Sequence, residues 1–431
     1  MNLKYDIVII GAGPAGLAAA VSARKNGIGR ILVVDRESSA GGILNQCIHN
    51  GFGLHKFKEE LTGPEYAERY MDLAEQSDVN ILLNSCVIDI IPSGSGKEVI
   101  VLSEEQGLLR ISCKAVILAM GCREKNRGNI AIPGSRPAGI LTAGFAQKMV
   151  NLHGYMPGRE VVILGSGDIG LIMARRMSLE GAKVKAVIEL QSHPGGLNRN
   201  IVQCLNDFDI PLHLSHTISE IKGDRRITSV EVSPVVDRSF PDRARSFHLD
   251  CDTLLLSVGL IPENELSLKV GVQLDNVTRG PVVDSNLMTT VEGIFACGNV
   301  LHVHDIVDWV SEEAEFCGHA VALYIRGELS KGREIPVRTG KMLSYTLPSK
   351  VEAGKPAVLS LRTLAPLENI VLSVRTEKDI LYKKKFRKIF PSVMQRISLK
   401  EIPADAQYIE TFITTEPTET LTTKHTNDTK I

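Results

Sequence analysis

The chain of 431 residues is too long for one ordinary hydrophobic core, so we expect two or three domains. Its hydrophobic fraction of 43% and charged fraction of 23% are typical of a soluble globular protein, and its net charge of −1 argues against nucleic acid or an anionic membrane as the main partner. The first predicted strand begins within about five residues, which leaves no room for a signal peptide. The eight cysteines show neither C-x-x-C nor zinc-finger spacing, which indicates a cytoplasmic protein with reduced thiols.

The stretch Tyr5–Gly16 predicts a strand, a tight turn and the start of a helix. Asp6–Ile10 is a short apolar run rich in β-branched residues, which is typical of a buried parallel strand. Gly11, Gly13 and Gly16 then fit the pattern G-x-G-x-x-G. In that pattern the glycines allow a tight turn, close approach of a pyrophosphate, and close packing of helix on strand. The helix N-terminus offers free N–H groups to the phosphates.

The next predicted strand ends in the acidic residue that such a turn requires. Ile31–Val34 leads into Asp35, which stands 19 positions after Gly16, where a carboxylate that binds a ribose is expected. The alternative is a glycine turn in an unrelated α/β unit, which would not need the carboxylate. We therefore predict a dinucleotide-binding βαβ unit.

A second unit with the same pattern follows later in the chain. Its parts are the strand Glu160–Leu164, the turn glycines Gly165, Gly167 and Gly170, the strand Val184–Ile188 and the terminal Glu189. Glu189 again stands 19 positions after the last glycine. Two units imply two ligands with pyrophosphates, and hydride exchange between a nicotinamide and a flavin is the commonest reason to bind both.

Other segments predict the elements around these units. A helix is predicted over Glu59–Ser77, a β-meander over Asn80–Ile111 and a buried strand over Lys114–Met120. A strand that ends in a glycine turn precedes a helix from about Asp305 to Arg326. The N-terminus of that helix lies near the turn, so its dipole would favour negative charge on a reduced ring.

The last hundred residues have a different character. Four runs alternate apolar and polar residues and predict a small β-sandwich: Ala357–Leu364, Ile370–Arg375, Ile380–Lys388 and Arg396–Ile402. The basic residues between Lys383 and Lys388 are either a solvated strand face that protects an edge or a docking site for an acidic partner. The threonine-rich tail from Thr414 is expected to be disordered.

These features resemble the pyridine nucleotide–disulfide oxidoreductase superfamily in its thioredoxin reductase branch. The matching pieces are Gly11–Gly16 with Asp35, Gly41-Gly42, Ala119–Gly121, Gly165–Gly170 with Glu189, and Gly293–Asn299. The resemblance covers roughly residues 4–328. Residues 41–53 and 61–67 are similar to the flavin subunit that accompanies bacterial anaerobic glycerol-3-phosphate dehydrogenases, a subgroup whose design is similar to subunits of opine and amino-acid oxidase complexes.

The resemblance implies FAD on the first unit and NAD(H) on the second. For FAD it implies Gly11, Gly13, Pro14, Ala15, Gly16, Asp35, Arg36, Gly42, Val87, Ala119, Gly121, Gly298, Asn299 and Val310. For NAD(H) it implies Gly165, Gly167, Gly170 and Glu189. Two departures stand out. Asn299 replaces the usual aspartate at the ribityl position, and a redox cysteine pair is missing.

The expected fold class is α/β, with two Rossmann-like dinucleotide-binding domains and a small C-terminal all-β sandwich-like domain. The FAD-binding domain is expected to be discontinuous, over residues 1–121 and 254–330. The NAD-binding domain is inserted over residues 122–253. The β domain is expected over residues 335–413 and the tail over residues 414–431.

The expected function is hydride transfer between NAD(H) and bound FAD, with electrons exchanged with a partner dehydrogenase subunit of the glycerol-3-phosphate type or with another acceptor. One alternative is a peroxide or disulfide reductase in which Cys47 is the catalytic thiol. The other interpretation of Cys47, and the one that we favour, is a small buried residue that packs under the ring. The other alternative is a non-catalytic subunit that holds cofactors. The chain could form homo- or hetero-oligomers.

No metal site is expected. His302, His304 and Asp305 could be read as ligands, but two histidines and one aspartate on a loop are weak for zinc and no fourth ligand is evident. We interpret this segment as a polar helix-entry loop near the flavin.

Overall fold

The computed structural model of the protein describes residues 2–94, 96–236, 240–329 and 332–415. They form two units, one up to residue 329 and one from residue 332. The elements of the first part of the chain are β1 (Asn2–Lys4), β2 (Ile7–Ile10), α1 (Pro14–Lys25), β3 (Ile31–Val34), β4 (Asn50–Phe52), β5 (Leu61–Thr62), α2 (Gly63–Gln76), β6 (Asn80–Leu82), β7 (Ser85–Ser93), β8 (Gly96–Ser103), β9 (Gly107–Cys113) and β10 (Ala115–Leu118).

The first parallel sheet contains β2 in its centre. Its strand order begins β10-β2-β3-β6, and each pair is parallel, with Ile7 opposite both Ala115 and Ile31. All residues of β2, β3 and β10 are buried, which explains why the sequence shows continuous apolar runs there rather than alternation. The predicted first βαβ unit is confirmed.

The predicted meander is confirmed over residues 85–113, whereas Asn80–Leu82, which the prediction included, pairs in parallel with β3 in the first sheet. The strands β7, β8 and β9 pair antiparallel in sequence order, and β1 adds to β9 in parallel.

The predicted helix Glu59–Ser77 is shorter than expected, because α2 begins only at Gly63. Thr62 caps this helix: its Oγ1 accepts a hydrogen bond from the Glu65 N–H, while the Glu65 carboxylate accepts one from the Thr62 N–H at 2.7 Å. Pro64 in the first turn also favours a helix start at this point.

The second part of the chain builds another parallel sheet. Its elements are β11 (Cys122–Glu124), α3 (Arg127–Ile130), β12 (Ile140–Thr142), α4 (Ala143–His153), β13 (Glu160–Leu164), α5 (Asp168–Leu179), β14 (Lys183–Glu189), α6 (Asn198–Cys204), β15 (Leu212–Leu214), β16 (His216–Gly223), β17 (Ile227–Val236), β18 (Phe240–Pro241), β19 (Phe247–Asp250) and β20 (Thr253–Leu256). The parallel order is β12-β20-β13-β14-β15.

This second sheet is covered on both faces. Val161 and Ile163 of β13 pack with apolar residues of α4 and α5, whereas Val162 and Leu164 pack with residues of β16 and β17. Burial on both faces is the reason for the apolar run of β13.

The strand β20 corrects one expected domain boundary. The expected FAD-binding part includes residues 254–256, but Leu254 and Leu255 pair with Val162 and Ile163 of β13. The chain therefore leaves the second sheet only after Leu256. The ligand assignment of the two parts stays a prediction.

The chain then returns to the first sheet. The remaining elements of this unit are β21 (Leu260–Pro262), α7 (Glu265–Lys269), β22 (Ile294–Ala296) and α8 (Val307–Arg326). The strand β22 pairs in parallel with β10 and completes the order β22-β10-β2-β3-β6. The helix α8 crosses α1 so closely that a Cβ on Gly318 would lie 2.3 Å from the carbonyl oxygen of Ala19.

The second unit is a β-sandwich, as predicted. Its strands are β23 (Glu334–Thr339), β24 (Leu343–Leu347), β25 (Lys350–Glu352), β26 (Ala357–Thr363), β27 (Leu367–Arg375), β28 (Ile380–Ile389), β29 (Gln395–Leu399) and β30 (Ile409–Thr415). The sheets β25-β23-β30-β27-β28 and β24-β26-β29 share one apolar core.

Two details of this unit refine the sequence prediction. Thr414 belongs to β30 and pairs with Val371, so the expected tail does not begin there, and residues 416–431 lie outside the described residues. The basic segment forms most of β28, an edge strand whose lysines at 383–385 are exposed. Among the described residues no helix is both long and apolar enough to cross a membrane.

Candidate functional site

The first glycine turn lies where β2 runs into α1. Gly11 has a φ of +109° and donates its N–H to the Val34 carbonyl at 2.8 Å. A Cβ on Gly11 would lie 2.4 Å from the carbonyl oxygen of Ala119, so only glycine fits between the ends of β2 and β10. This contact brings the predicted residue Ala119 to the turn.

The start of α1 is suited to an anion. Gly13 is the N-cap residue and has no side chain to bond the free N–H groups, Pro14 occupies the first turn, and no acidic residue lies there. A Cβ on Gly16 would lie only 1.8 Å from the Gly11 carbonyl oxygen, so this glycine is what allows α1 to pack on the turn. The exposed N–H groups and the helix dipole both favour phosphate at this position.

Asp35 is fixed beside the same turn. Its Oδ2 accepts the Ala12 N–H at 2.6 Å, and its Oδ1 accepts the Glu37 N–H at 2.9 Å. Each carboxylate oxygen can accept a further hydrogen bond, as a ribose hydroxyl would require. Arg36 beside it is exposed.

The start of β7, the strand that contains the predicted residue Val87, is bonded to the segment of Asp35. The Ser85 N–H donates to the Asp35 carbonyl at 2.9 Å, and the Asn84 N–H donates to the Glu37 carbonyl at 3.0 Å. Val87 itself is buried two residues further along β7.

Three distant segments meet at the start of α1. A Cβ on Gly42 would lie 3.0 Å from the Cα of Gly13. A Cβ on Gly298 would lie 2.7 Å from the Ala15 Cβ and 3.4 Å from the Val310 Cγ1. Five of the residues implied for FAD are thereby brought together by the tertiary fold. Gly121, just before β11, has a φ of +71°, and a Cβ there would meet nothing within 4 Å.

The second glycine turn repeats the first almost bond for bond. Gly165 donates its N–H to the Ile188 carbonyl at 2.7 Å, with a φ of +96°. The Glu189 carboxylate accepts the Ser166 N–H at 2.8 Å and the Gln191 N–H at 2.9 Å, as Asp35 does in the first turn. A Cβ on Gly170 would lie 2.7 Å from the Gly165 carbonyl oxygen.

The two turns differ in charge. Gly167 is again an N-cap residue without a side-chain bond, but α5 carries Asp168 in its first turn. The Asp168 Oδ1 accepts the Leu197 N–H at 2.8 Å and the Asn200 Nδ2–H at 2.6 Å. This carboxylate ties α6 to the start of α5 and makes the second turn less attractive to an anion than the first.

The Asn299 side chain is hydrogen-bonded within its own loop. Its Oδ1 accepts the His304 N–H at 3.0 Å and lies 3.2 Å from His304 Nδ1, while its Nδ2–H donates to the Cys122 Sγ at 3.7 Å. The residue at the expected ribityl position is therefore engaged in orienting the entry to α8.

Glu313 is a site residue that sequence reasoning missed. Its Oε1 accepts the Gly298 N–H at 2.7 Å, and its Oε2 lies 2.9 Å from His302 Nε2 and 3.4 Å from His304 Nε2. Burial raises the pKa of the Glu313 carboxyl, but the two facing imidazoles lower it more, and the pKa ends far below its ordinary value of 4.5.

The ligand atoms of His302, His304 and Glu313 lie within 4.8 Å of one another, and Asp305 is not among them. Both imidazoles lie within hydrogen-bond distance of Glu313 Oε2, so they share its carboxylate. The sequence signal for Glu313 is only its place on the helix that follows the two histidines.

Cys47 ends a short 3₁₀ helix (Gly42–Gln46) and is 5% exposed. Its Sγ lies 3.3 Å from the Ile43 carbonyl oxygen and 3.9 Å from the Gln147 Oε1. Burial raises the pKa of the Cys47 thiol to about 12, which disfavours the thiolate that redox chemistry needs.

The helix α4 packs on the same 3₁₀ helix through side chains that the sequence did not reveal. The Gln46 Nε2–H donates to the Gly144 carbonyl at 2.8 Å and to the Gln147 Oε1 at 3.0 Å. The Asn151 Nδ2–H donates to the Gln46 carbonyl at 2.8 Å. These amides join the two halves of the unit beside Cys47.

Comparison with known proteins agrees with this geometry. The pyridine nucleotide-disulphide oxidoreductase family matches residues 5–322. Hydrogen cyanide synthase subunit HcnB of Pseudomonas aeruginosa is 26% identical over 63% of this chain and 60% of its own length. An opine oxidase subunit of Agrobacterium tumefaciens is 26% identical over 75% of this chain and 66% of its own length. The chain thus spans less than two thirds of these relatives.

A solved structure shows the same fold. The crystal structure of T. acidophilum thioredoxin reductase matches with a TM-score of 0.60 and 26% identity, over 75% of this chain and 99% of that chain. The chain therefore belongs to the pyridine nucleotide-disulphide oxidoreductase family, in its thioredoxin reductase-like branch, whose members are flavin-dependent oxidoreductases that bind FAD and NAD(P)H.

Proposed function

We propose that the chain holds FAD at the first glycine turn and NAD(H) at the second, and that it passes a hydride between them. The observation that carries this proposal is the pair of matching turns, each with a fixed carboxylate and a helix start without a side-chain cap. When bound, the flavin supplies hydride exchange with the nicotinamide, which is the chemistry of the two cofactors themselves.

The residues of the protein bind the two cofactors and orient them. The N–H groups at the start of α1 would face the pyrophosphate of FAD, and Asp35 would accept the ribose hydroxyls. Gly42, Gly298 and Val310 would form the walls of this site, because Gly42 and Gly298 lie against the first turn of α1 and the Val310 side chain lies against Gly298. Gly167 and Glu189 would do the same for the nicotinamide dinucleotide.

We further propose that the electrons are exchanged with a partner dehydrogenase subunit, of the glycerol-3-phosphate type or another, in the cytoplasm. Two similar proteins, the hydrogen cyanide synthase and opine oxidase chains, are subunits by name, which supports a partner. All eight cysteines lie among the described residues and none is in a disulfide, which agrees with a reducing compartment. Proteins that co-purify with the chain would identify the partner.

Bound flavin tests the first part of the proposal. We expect purified protein to be yellow, to release FAD rather than FMN on denaturation, and to lose its flavin absorbance when NADH is added without oxygen. A colourless protein that cannot be reconstituted with FAD would contradict the proposal and favour the cofactor-holding subunit without catalysis.

The second turn predicts a preference for NADH over NADPH. Glu189 is held by Ser166 and Gln191, so a 2′-phosphate would meet its carboxylate at close range. Two unit charges at about 4 Å in an effective dielectric of about 20 repel by roughly 4 kcal/mol, and a third of that is still about tenfold in affinity. Rapid mixing with each nucleotide measures the rate of flavin bleaching.

A matched pair of variants controls this measurement. Glu189→Gln should reduce the preference, whereas Asp224→Asn, at an exposed position outside the turn, should keep it. Equal or faster reduction of the wild type by NADPH would show that Glu189 does not select the nucleotide.

The reductase alternative is tested at Cys47. A thiol pKa of about 12 instead of 9.0 lowers the thiolate fraction about a thousandfold near pH 8. We expect iodoacetamide to label the exposed Cys86 quickly and Cys47 about a thousandfold more slowly than a free cysteine, as mass spectrometry of peptides can measure.

The variant Cys47→Ser should accordingly keep most of the NADH-driven reduction of the flavin and of an artificial dye. If the wild type oxidised NADH with a peroxide or a disulfide and this variant lost that activity, Cys47 would be the redox thiol and the alternative would hold.

A further inference from the structure

A cleft of about 660 Å³ lies outside both glycine turns. It opens between the segment 48–51, the helix α4 and the outer faces of α5 and α6. Its volume falls within the range of small-molecule sites, roughly 300–1,000 Å³. The polar residues that matter for its chemistry are Asn151, Arg175, Arg176, Arg199, Asn200 and Gln203.

The cleft is separate from the nucleotide turn. Ile172, Arg175, Arg176 and Leu179 recur at helical spacing, so one face of α5 lines it. Arg175 is eight residues after Gly167, which is about 12 Å along the helix axis. The bond from the Asn200 Nδ2–H to Asp168 also closes the space between the starts of α5 and α6.

The positive charge that the cleft offers to a ligand comes from two of its three arginines. Arg176 is ion-paired with Glu180 at 2.6 Å, whereas Arg175 and Arg199 line the cleft together with two carboxylates, Glu60 and Asp207. Among the described residues no hydrogen bond or ion pair engages the side chains of Arg175 and Arg199. A Cβ on Gly51 would lie 3.0 Å from Arg199 Nη2, which places this guanidinium against the opposite wall.

The imidazole of His49, which also lines the cleft, is affected by the charges of these two arginines. Burial lowers the pKa of its imidazole below the ordinary value of 6.5, and the positive charges of Arg199 and Arg175 lower it further, against the opposing effects of the Asn50 carbonyl and Asp168. The lowered pKa favours the uncharged imidazole, whose Nδ1 lies 3.1 Å from the Asn50 carbonyl oxygen.

We propose that this cleft binds a small organic anion that carries a carboxylate or a phosphate group. The oxyanion lies between Arg175 and Arg199, whose planar guanidiniums are suited to carboxylate and phosphate oxygens. The site takes its ligand independently of FAD and NAD(H) and goes beyond the proposed function.

Isothermal titration calorimetry of the full chain tests the proposal with three probes. Glycerol 3-phosphate supplies a phosphate, glycerate supplies a carboxylate, and glycerol is the neutral analogue of both. We expect at least one of the two anions to bind at least tenfold more tightly than glycerol. The double variant Arg175→Gln with Arg199→Gln should weaken that binding at least tenfold, because both guanidiniums line the cleft. Both side chains are exposed, so we expect the variant to fold as the wild type does.

Two controls separate this site from the rest of the molecule. Arg225→Gln, at an exposed position outside the cleft, should bind the anions as the wild type does. NADH affinity and flavin content should be the same in the double variant and the wild type, so that a failure of the proposed function shows itself independently. Anions that bind no better than glycerol, a double variant with wild-type affinity, or competition between the anions and NADH would each overturn the proposal.

Discussion

Replacing Gly16 with alanine should abolish FAD binding and destabilise the first unit severely. A Cβ at this position would lie 1.8 Å from the carbonyl oxygen of Gly11, and the obstacle is backbone, which cannot rotate away as a side chain could. Overpacking in a close-packed interior typically costs about 1–3 kcal/mol, and here the helix α1 must move off the turn that binds the phosphates. We expect a loss of about 3 kcal/mol in the free energy of unfolding, at the upper end of that range.

Urea unfolding and the flavin content of the purified protein measure the two effects of Gly16→Ala. Gly29→Ala is the matched control, because a Cβ at Gly29 would meet nothing within 4 Å and its backbone is not in the left-handed region. This control should stay within about 1 kcal/mol of the wild type and keep its flavin. A yellow Gly16→Ala protein of wild-type stability would show that α1 does not pack on the turn as described.

Replacing Glu313 with alanine should have a comparable effect by a different mechanism. The change leaves the Gly298 N–H without its acceptor and two nearly buried imidazoles without their common carboxylate, since the His302 and His304 side chains are 1% and 2% exposed. Removing one partner of a buried charged pair costs about 3–5 kcal/mol. We expect urea unfolding near pH 7 to show a loss of about 3 kcal/mol, together with weaker retention of FAD next to Gly298.

The neighbouring Glu312 provides the control, because it is exposed on the same helix turn. Surface ion pairs contribute about 0–1 kcal/mol, so Glu312→Ala should lose no more than that. Equal losses in the two variants would show that the buried cluster does not stabilise the loop before α8.

The pH dependence of the Glu313 contribution follows from the sign of its pKa change. The folded-state pKa is lower than the ordinary value of 4.5, so the contribution is complete above 4.5 and is lost as the pH falls from there through the lowered pKa. The difference in stability between the wild type and Glu313→Gln should therefore shrink as the pH falls below 4.5.

Some features of the chain follow from the sequence because they depend on neighbours along it. The two glycine turns, their strands and their acidic residues occur within about 30 residues each, and the spacing alone specifies a strand, a tight turn and a helix. The alternating strands of the β-sandwich are local in the same sense. The helix start at Gly63 is also encoded locally, in the pair Thr62 and Glu65, although only the structure showed that this capping box ends the loop.

The tertiary structure alone decided which distant residues meet. Gly298 reaches Ala15, and Val310 reaches Gly298, because β22 pairs beside β10 and α8 packs on α1. No pattern within either segment contains that information. Glu313 became part of the loop network in the same way, and β20 joined the second sheet through pairing with β13. The cleft that Arg175 and Arg199 line exists only because the outer faces of α5 and α6 fold against the segment 48–51.

The sequence by itself thus determined the local dinucleotide-binding units. Long-range packing determined the walls and charges around these units, because packing depends on which surfaces the whole chain buries.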